Sequence, residues 1–232
     1  MTTEHVLGTI VLLGGDEWTA ATRELDAALL AASGSSEVVV LPTPKAFEHP
    51  ERVGPRAEAY FSGLGATVRT LHVISRRDSE ADDVVSAVEA ARFVYLPDGS
   101  SLHLRPVLKG GRLEEALLSA FRAGAVLAAS GESAMVMCDP MVDRRGGAYT
   151  VGLGIVEGVA VDPHYNRLSP ESRARPHQLL PKGTVLVGID DGTALVRAPG
   201  GVWSVRGTGT VTVFEQGRDV AYRDGATGLP LP

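Results

Sequence analysis

Apolar runs alternate with amphipathic segments through the first half of the chain. The runs are short, aliphatic and bounded by Gly, Pro or polar residues, which predicts strands at residues 6–13, 37–41, 66–74, 92–96 and 125–129. The segments between them carry apolar side chains at helical spacing, in residues 19–32, 52–64, 79–91 and 112–122. This alternation predicts the α/β class, with a three-layer, mostly parallel, doubly wound sheet flanked by helices.

The pattern changes after Gly146. Short strands separated by Gly-rich turns follow, which predicts antiparallel strands added at one edge of the sheet. We find no linker that would divide the chain, so we expect a single domain over residues 1–224 and a C-terminal tail over residues 225–232. The Gly-rich edge strands are a candidate surface for a homodimer.

Composition and charge exclude several classes of function. The 232 residues are 44% hydrophobic and 22% charged, as expected of a globular domain with a filled core. A net charge of −6 without clustered basic residues argues against a nucleic-acid surface. The absence of a long apolar stretch and of a basic leader predicts a cytoplasmic protein that does not enter a membrane. We expect no metal and no cofactor, because the histidines lack ligand spacing and no nucleotide fingerprint is complete.

Two turns of the predicted sheet have the composition of a binding site. Ligands of open α/β sheets bind beyond the carboxyl ends of the strands. The fourth strand runs into residues 97–101 (PDGSS), whose N–H groups can stabilise an anion or simply begin a helix. The fifth strand runs into residues 130–134 (SGESA), a strand, turn, serine and helix arrangement that is typical of a nucleophile elbow but also of an ordinary helix N-cap.

His164 is the candidate base. A β-branched strand delivers it to a strand end, and a serine needs such a neighbour because its free hydroxyl is a poor nucleophile. A carboxylate would tune the imidazole for acid and base roles. Asp143, Glu157 and Asp162 are candidates for that carboxylate, and the residues alone leave the choice open.

Taken together, a series of landmarks resembles the cyanophycinase and aspartyl dipeptidase family of serine peptidases, which has a type-1 glutamine-amidotransferase-like fold. The landmarks are residues 13–15 (LGG), 98–100 (DGS), 130–134 (SGESA), 152–154 (GLG), 162–164 (DPH) and 188–194 (GIDDGTA). The resemblance implies a serine nucleophile, His164 as base, an acidic third member, and hydrolysis of a small acidic peptide or isopeptide. It also implies an oxyanion-hole amide at Gly99 beside Ser100, with Arg167 and Arg173 available for a substrate carboxylate.

Two alignments compete at the elbow, where the family has Gly-x-Ser-Ala-Gly-Ala. The local match makes Ser133 the nucleophile and gives Ala134 the second oxyanion amide. The spacing from the fifth strand instead puts Gly131 at the nucleophile position, without a hydroxyl. We therefore predict a hydrolase that uses Ser133, His164 and Asp143, and as the alternative an inactive family member that binds an acidic small molecule or peptide in the same cleft.

Overall fold

A seven-stranded sheet forms the centre of the molecule in the computed structural model, which describes residues 7–215 and 218–232. Its strands are β1 (Thr9–Leu13), β2 (Glu37–Val40), β3 (Thr67–Thr70), β4 (Phe93–Leu96), β5 (Val126–Ser130), β12 (Thr193–Arg197) and β13 (Trp203–Gly207). Their order is β13-β12-β1-β5-β4-β2-β3. Strands β1 to β5 pair in parallel, while β12 and β13 add antiparallel beyond β1. The predicted fold class is confirmed.

Helices cover both faces of this sheet. They are α1 (Arg23–Ser33), α2 (Val53–Ser62), α3 (Asp82–Glu89), α4 (Ser101–Leu108), α5 (Arg112–Arg122), α6 (Glu132–Met137) and α7 (Pro170–Gln178). Successive side chains of a strand point to opposite faces. Accordingly, Ile10 and Leu12 join the apolar cluster that contains Leu117 of α5, whereas Val11 and Leu13 join the cluster that contains Phe61 of α2. Two buried layers thus hold the central sheet in place.

The strands after Gly146 do not all extend the central sheet. A second sheet has the order β10-β11-β14-β15, formed by β10 (Val159–Pro163), β11 (Val185–Ile189), β14 (Val211–Glu215) and β15 (Arg218–Tyr222). Two short ladders pair β6 (Cys138–Asp139) with β9 (Val156–Glu157), and β7 (Met141–Asp143) with β8 (Ala148–Thr150). The predicted antiparallel edge therefore consists of β12 and β13. Strand β10 is instead buried along its whole length and pairs in parallel with β11, which starts a sheet of its own.

Residues 225–232, which we expected to form a tail, lie along β13. Thr227 forms a β-bridge with Ser204, and the Trp203 indole N–H donates to the Pro232 carbonyl at 2.9 Å. Leu229 is buried at this contact. In the described part of the chain, no helix is long and apolar enough to cross a membrane.

The carboxyl ends of β1, β5 and β10 meet at one place. Ser130 at the end of β5 is in register with Leu13 at the end of β1. The His164 amide, directly after β10, donates to the Gly14 carbonyl at 2.8 Å. The second sheet therefore delivers His164 to the edge of the first sheet, where the turns after β4 and β5 also lie.

Candidate active site

Gly131 lies at the tip of the turn between β5 and α6, which we call the elbow. Its φ of 55° and ψ of −130° are a conformation that side-chain-bearing residues adopt only under strain. A Cβ atom at this position would lie 1.9 Å from Asp98 Oδ1 and 2.1 Å from Asp98 Cγ. The Asp98 carboxylate thus occupies the space that an elbow side chain would take.

The two serines beside Gly131 are fully buried and hydrogen-bonded within the protein. Ser133 Oγ donates to the Pro97 carbonyl at 2.6 Å, and Ser130 Oγ donates to Glu17 Oε2 at 2.8 Å. Because Ser133 lies within the first turn of α6, its side chain turns under the loop that follows β4. The structure does not bring the predicted nucleophile Ser133 to His164, whose two ring nitrogens face carboxylates instead.

The two oxygens of Asp98 have different partners. Oδ1 accepts hydrogen bonds from the Gly99 amide at 2.8 Å and the Glu132 amide at 2.9 Å, whereas Oδ2 lies 3.2 Å from His164 Nε2. Burial acts to raise the pKa of Asp98, but the bonds from His164 and from the two amides outweigh it and hold the pKa below its usual value. This carboxylate is therefore ionised near neutral pH.

The pair of amides that flanks the elbow comes from Gly99 and Glu132. Gly99 is the amide that the family resemblance implied. Ala134, which we expected to supply the second amide, donates its N–H to the Gly131 carbonyl at 3.0 Å within the helical turn. The second donor shifts by two residues because the elbow is centred on Gly131 rather than on Ser133.

His164 is held between two carboxylates. Its Nδ1 lies 2.8 Å from Asp191 Oδ1, on the side opposite Asp98. The hydrogen bond with Asp98 is the main cause that raises the pKa of His164 to about 9; burial opposes it and Asp191 adds to it. Near neutral pH the imidazole is therefore protonated and forms an ion pair with Asp98.

Asp191, and not Asp143, lies beside the histidine. The Asp143 carboxylate binds Arg145 Nε at 2.9 Å, and this contact with Arg145 lowers the pKa of Asp143 to about 2. Asp191 follows β11, and its own amide donates to Asn166 Oδ1 at 3.1 Å. It belongs to the sequence block 188–194 that carries much of the family resemblance, so its position in that block was the available signal.

Glycines after β1 make room for the imidazole. A Cβ atom on Gly15 would lie 2.4 Å from His164 Cε1 and 2.4 Å from Asp191 Oδ1. His164 itself has a left-handed backbone with φ of 53°, fixed by the bond from its amide to the Gly14 carbonyl. Gly15 therefore serves the close packing of the His164 and Asp191 side chains against the end of β1, while Gly14 makes room for the Ile189 and Asp190 carbonyls.

An open cleft of about 510 Å³ adjoins Asp98 and His164. Its lining includes Lys45, Ser100, Leu102, Glu132, Arg144 and Arg145. Ser100 also caps α4, because its side chain accepts a hydrogen bond from the His103 amide. Arg144 bonds Asp162 at 2.9 Å and lies 3.5 Å from Glu132, so part of its charge is already balanced. Across residues 7–215 and 218–232, no group of three His, Cys, Asp or Glu side chains is arranged to hold a metal ion.

The arginines that we predicted to bind substrate have other contacts. Arg167 pairs with Asp16 at 2.9 Å and with Asp191 at 2.6 Å, behind the histidine. Arg173 lies over the Tyr165 ring at 4.3 Å and donates to the Tyr165 carbonyl at 2.7 Å. The cations that line the cleft are instead Lys45, Arg144 and Arg145.

Comparison with known proteins now identifies the family. Residues 10–203 match the model of Peptidase family S51. The chain belongs to this family. The cyanophycinase of Nostoc sp. is 28% identical over 217 residues, which cover 89% of this chain and 73% of the relative. The cyanophycinase of Geminocystis herdmanii is 25% identical over 232 residues, which cover 94% of this chain and 84% of the relative.

Solved structures agree with this assignment. A peptidase from an acI-B1 Actinobacterium superposes with a TM-score of 0.88 at 26% identity, over 96% of this chain and 97% of that protein. A peptidase E protein from Listeria monocytogenes EGD-e shares the fold, with a TM-score of 0.62 at 13% identity over 94% and 98% of the two chains. The resemblance to cyanophycinases drawn from the sequence is confirmed, and membership of this family supports a serine peptidase or related hydrolase.

Proposed function

We propose that this S51 protein hydrolyses a small acidic substrate in the cleft beside His164, and that it does so without a serine acyl-enzyme. The observation that carries the proposal is the arrangement of His164, which faces the cleft between Asp98 and Asp191 while Gly131 occupies the elbow. His164 lies beside the cleft with Asp191 bound to its Nδ1 side, as a proton-transfer group and its orienting carboxylate would. The space that a serine side chain would take at the elbow is occupied by the Asp98 carboxylate.

The environment of His164 suits proton transfer. Asp191 fixes the Nδ1 side of the ring, so that Nε2 points to Asp98 and the open cleft. A histidine oriented in this way can give a proton to a leaving group and recover it from water. Lys45, Arg144 and Arg145 line the cleft and already pair with Glu48, Asp162 and Asp143, so a substrate carboxylate would bind here by sharing one of these cations.

Binding without catalysis is the second candidate function, and one observation favours it. Asp98 Oδ1 already accepts from the Gly99 and Glu132 amides, the pair that would otherwise stabilise the oxyanion formed from a substrate carbonyl. A ligand would then lie in the cleft beside this carboxylate without being cleaved. Tight binding of an acidic peptide with no turnover would support this candidate.

Turnover measurements on three proteins test the proposal. Wild type, Ser133→Ala and His164→Gln are assayed with acidic dipeptides, β-aspartyl isopeptides and acidic esters. We expect turnover by wild type, turnover within a few-fold of it by Ser133→Ala, and a loss of about a hundredfold or more in His164→Gln, as for removal of a general acid and base. Loss of activity in Ser133→Ala, provided that this variant remains folded, or full activity in His164→Gln, would contradict the proposal.

A further inference from the structure

The Asp98 side chain has the surroundings of a reacting group rather than of a buried structural acid. It takes the space of an elbow side chain, one of its oxygens faces two backbone amides, and the other faces His164. About 26% of the side chain is exposed, and it lines the cleft. Ionised carboxylates serve as covalent nucleophiles in several enzyme classes. These three contacts are the ones expected of a carboxylate that attacks a substrate.

We infer that Asp98 is a covalent nucleophile, which forms an ester through Oδ2 with a saturated carbon of the substrate, and that His164 then activates water to hydrolyse this ester. The inference rests on the proposed hydrolytic function and adds to it the attacking atom and the class of bond. The substrate class is a small carboxylate whose saturated carbon carries a leaving group, such as a halide.

The first step is a displacement at carbon. An electron pair of Asp98 Oδ2 forms a C–O bond, the bond from carbon to the leaving group breaks, and the leaving group departs with its electron pair. This step develops no oxyanion on the substrate, so the two amides can stay bonded to Oδ1 throughout. The substrate carboxylate would share Lys45, Arg144 or Arg145 with Glu48, Asp162 or Asp143, the carboxylates that already pair with them.

The second step uses the remaining groups of the site. Ester formation removes the hydrogen bond with ionised Asp98, which is the main cause of the raised pKa of His164, so the imidazole can release its proton and act as a base. It takes a proton from water, and the hydroxide attacks Asp98 Cγ. The oxyanion develops on Oδ1, where the Gly99 and Glu132 amides already point. The bond from Cγ to Oδ2 then breaks, and His164 returns the proton to the departing alkoxide.

Trapping of the ester with bromoacetate tests the first step. In His164→Gln the base for hydrolysis is missing, so we expect one carboxymethyl group per chain, mapped by mass spectrometry to Asp98. Cys138 is fully buried and burial raises the pKa of its thiol, so it should not compete. Adding Asp98→Asn to His164→Gln should reduce labelling at this site at least tenfold, while adding Asp82→Asn, which changes an exposed carboxylate on α3, should leave it unchanged. No adduct on Asp98 in a folded His164→Gln protein overturns the inference.

Wild-type turnover in heavy-oxygen water tests the second step and needs no variant to fold. Bromoacetate and water should give glycolate, bromide and a proton, with the first turnover placing solvent oxygen in the Asp98 carboxylate rather than in glycolate. Asp98→Asn should release bromide at least about a thousandfold more slowly. Solvent oxygen found only in glycolate, or no glycolate at all, overturns a covalent role for Asp98. Neither of these two results would contradict the proposed function. That function is tested by the peptide and ester assays and by the dependence of their turnover on His164.

Discussion

An exchange of residues between the elbow and the loop after β4 tests whether Asp98 stands in the place of an elbow side chain. Gly131→Ser should be strongly destabilising on its own, because its Cβ would lie 1.9 Å from Asp98 Oδ1. Asp98→Gly should remove that overlap. We therefore expect the double variant to be more stable than the effects of the two single changes, added together, would allow.

The structure sets the size of the effect. A side chain at φ of 55° and ψ of −130° costs about 1–3 kcal/mol in backbone strain, and overlap in a packed site costs about 1–3 kcal/mol more. Gly131→Ser should therefore lower the free energy of unfolding by about 2–6 kcal/mol. Only the strain should persist when Asp98→Gly is added, so the two positions should be coupled by at least about 1 kcal/mol.

Urea unfolding of the four proteins at one pH provides the measurement. The double-mutant cycle compares wild type, each single variant and the double variant. If the two free-energy changes add within about 0.5 kcal/mol, the two positions do not share space and the placement of Asp98 at the elbow is refuted. A Gly131→Ser protein as stable as wild type would also refute the placement of Asp98 at the elbow.

Three further predictions follow from the same contacts. Ser133→Ala should lower the free energy of unfolding by about 1–3 kcal/mol, because it leaves the buried Pro97 carbonyl without its donor; urea unfolding checks this. The pKa of His164 is raised from 6.5 to about 9, so protonation of His164 should add at most about 3 kcal/mol to the free energy of unfolding. This contribution should be fully present below pH 6.5 and be lost as the pH rises through 9. In urea unfolding at a series of pH values, His164→Gln should abolish that loss. Asp191→Asn should lower the pKa of His164 in an NMR titration, whereas Asp143→Asn should not.

Much of the fold follows from local patterns. The alternation of strands and helices before Gly146 predicts the parallel sheet, since the runs of β1, β2, β4 and β5 are buried within it and only the edge strand β3 is largely exposed. The separate sheet around β10 and β11 does not follow, because Gly-rich strands have the same local pattern whether they extend one sheet or begin another. His164 is recognisable because a β-branched strand ends directly before it.

The site itself depends on contacts between distant residues. Whether Gly131 or Ser133 stands at the elbow depends on the backbone angles of one turn, and the spacing argument favoured the position that the structure shows. The role of Asp98 depends on a contact across 33 positions of the chain, which no local pattern reveals. Asp143 was a candidate because it lies near the elbow in sequence, but its neighbour Arg145 binds it locally, while Asp191 arrives from the end of β11.

Labelling with a fluorophosphonate tests the central claim most directly, because this reagent reacts with an activated serine. The claim is that Gly131 and Asp98 have taken the place of a serine nucleophile. We predict no labelling of wild type, and labelling of the introduced serine in the double variant Asp98→Gly, Gly131→Ser, where His164 loses its main partner and is free to act as a base. Labelling of wild type that Ser133→Ala abolishes would contradict the claim and restore Ser133 as the nucleophile.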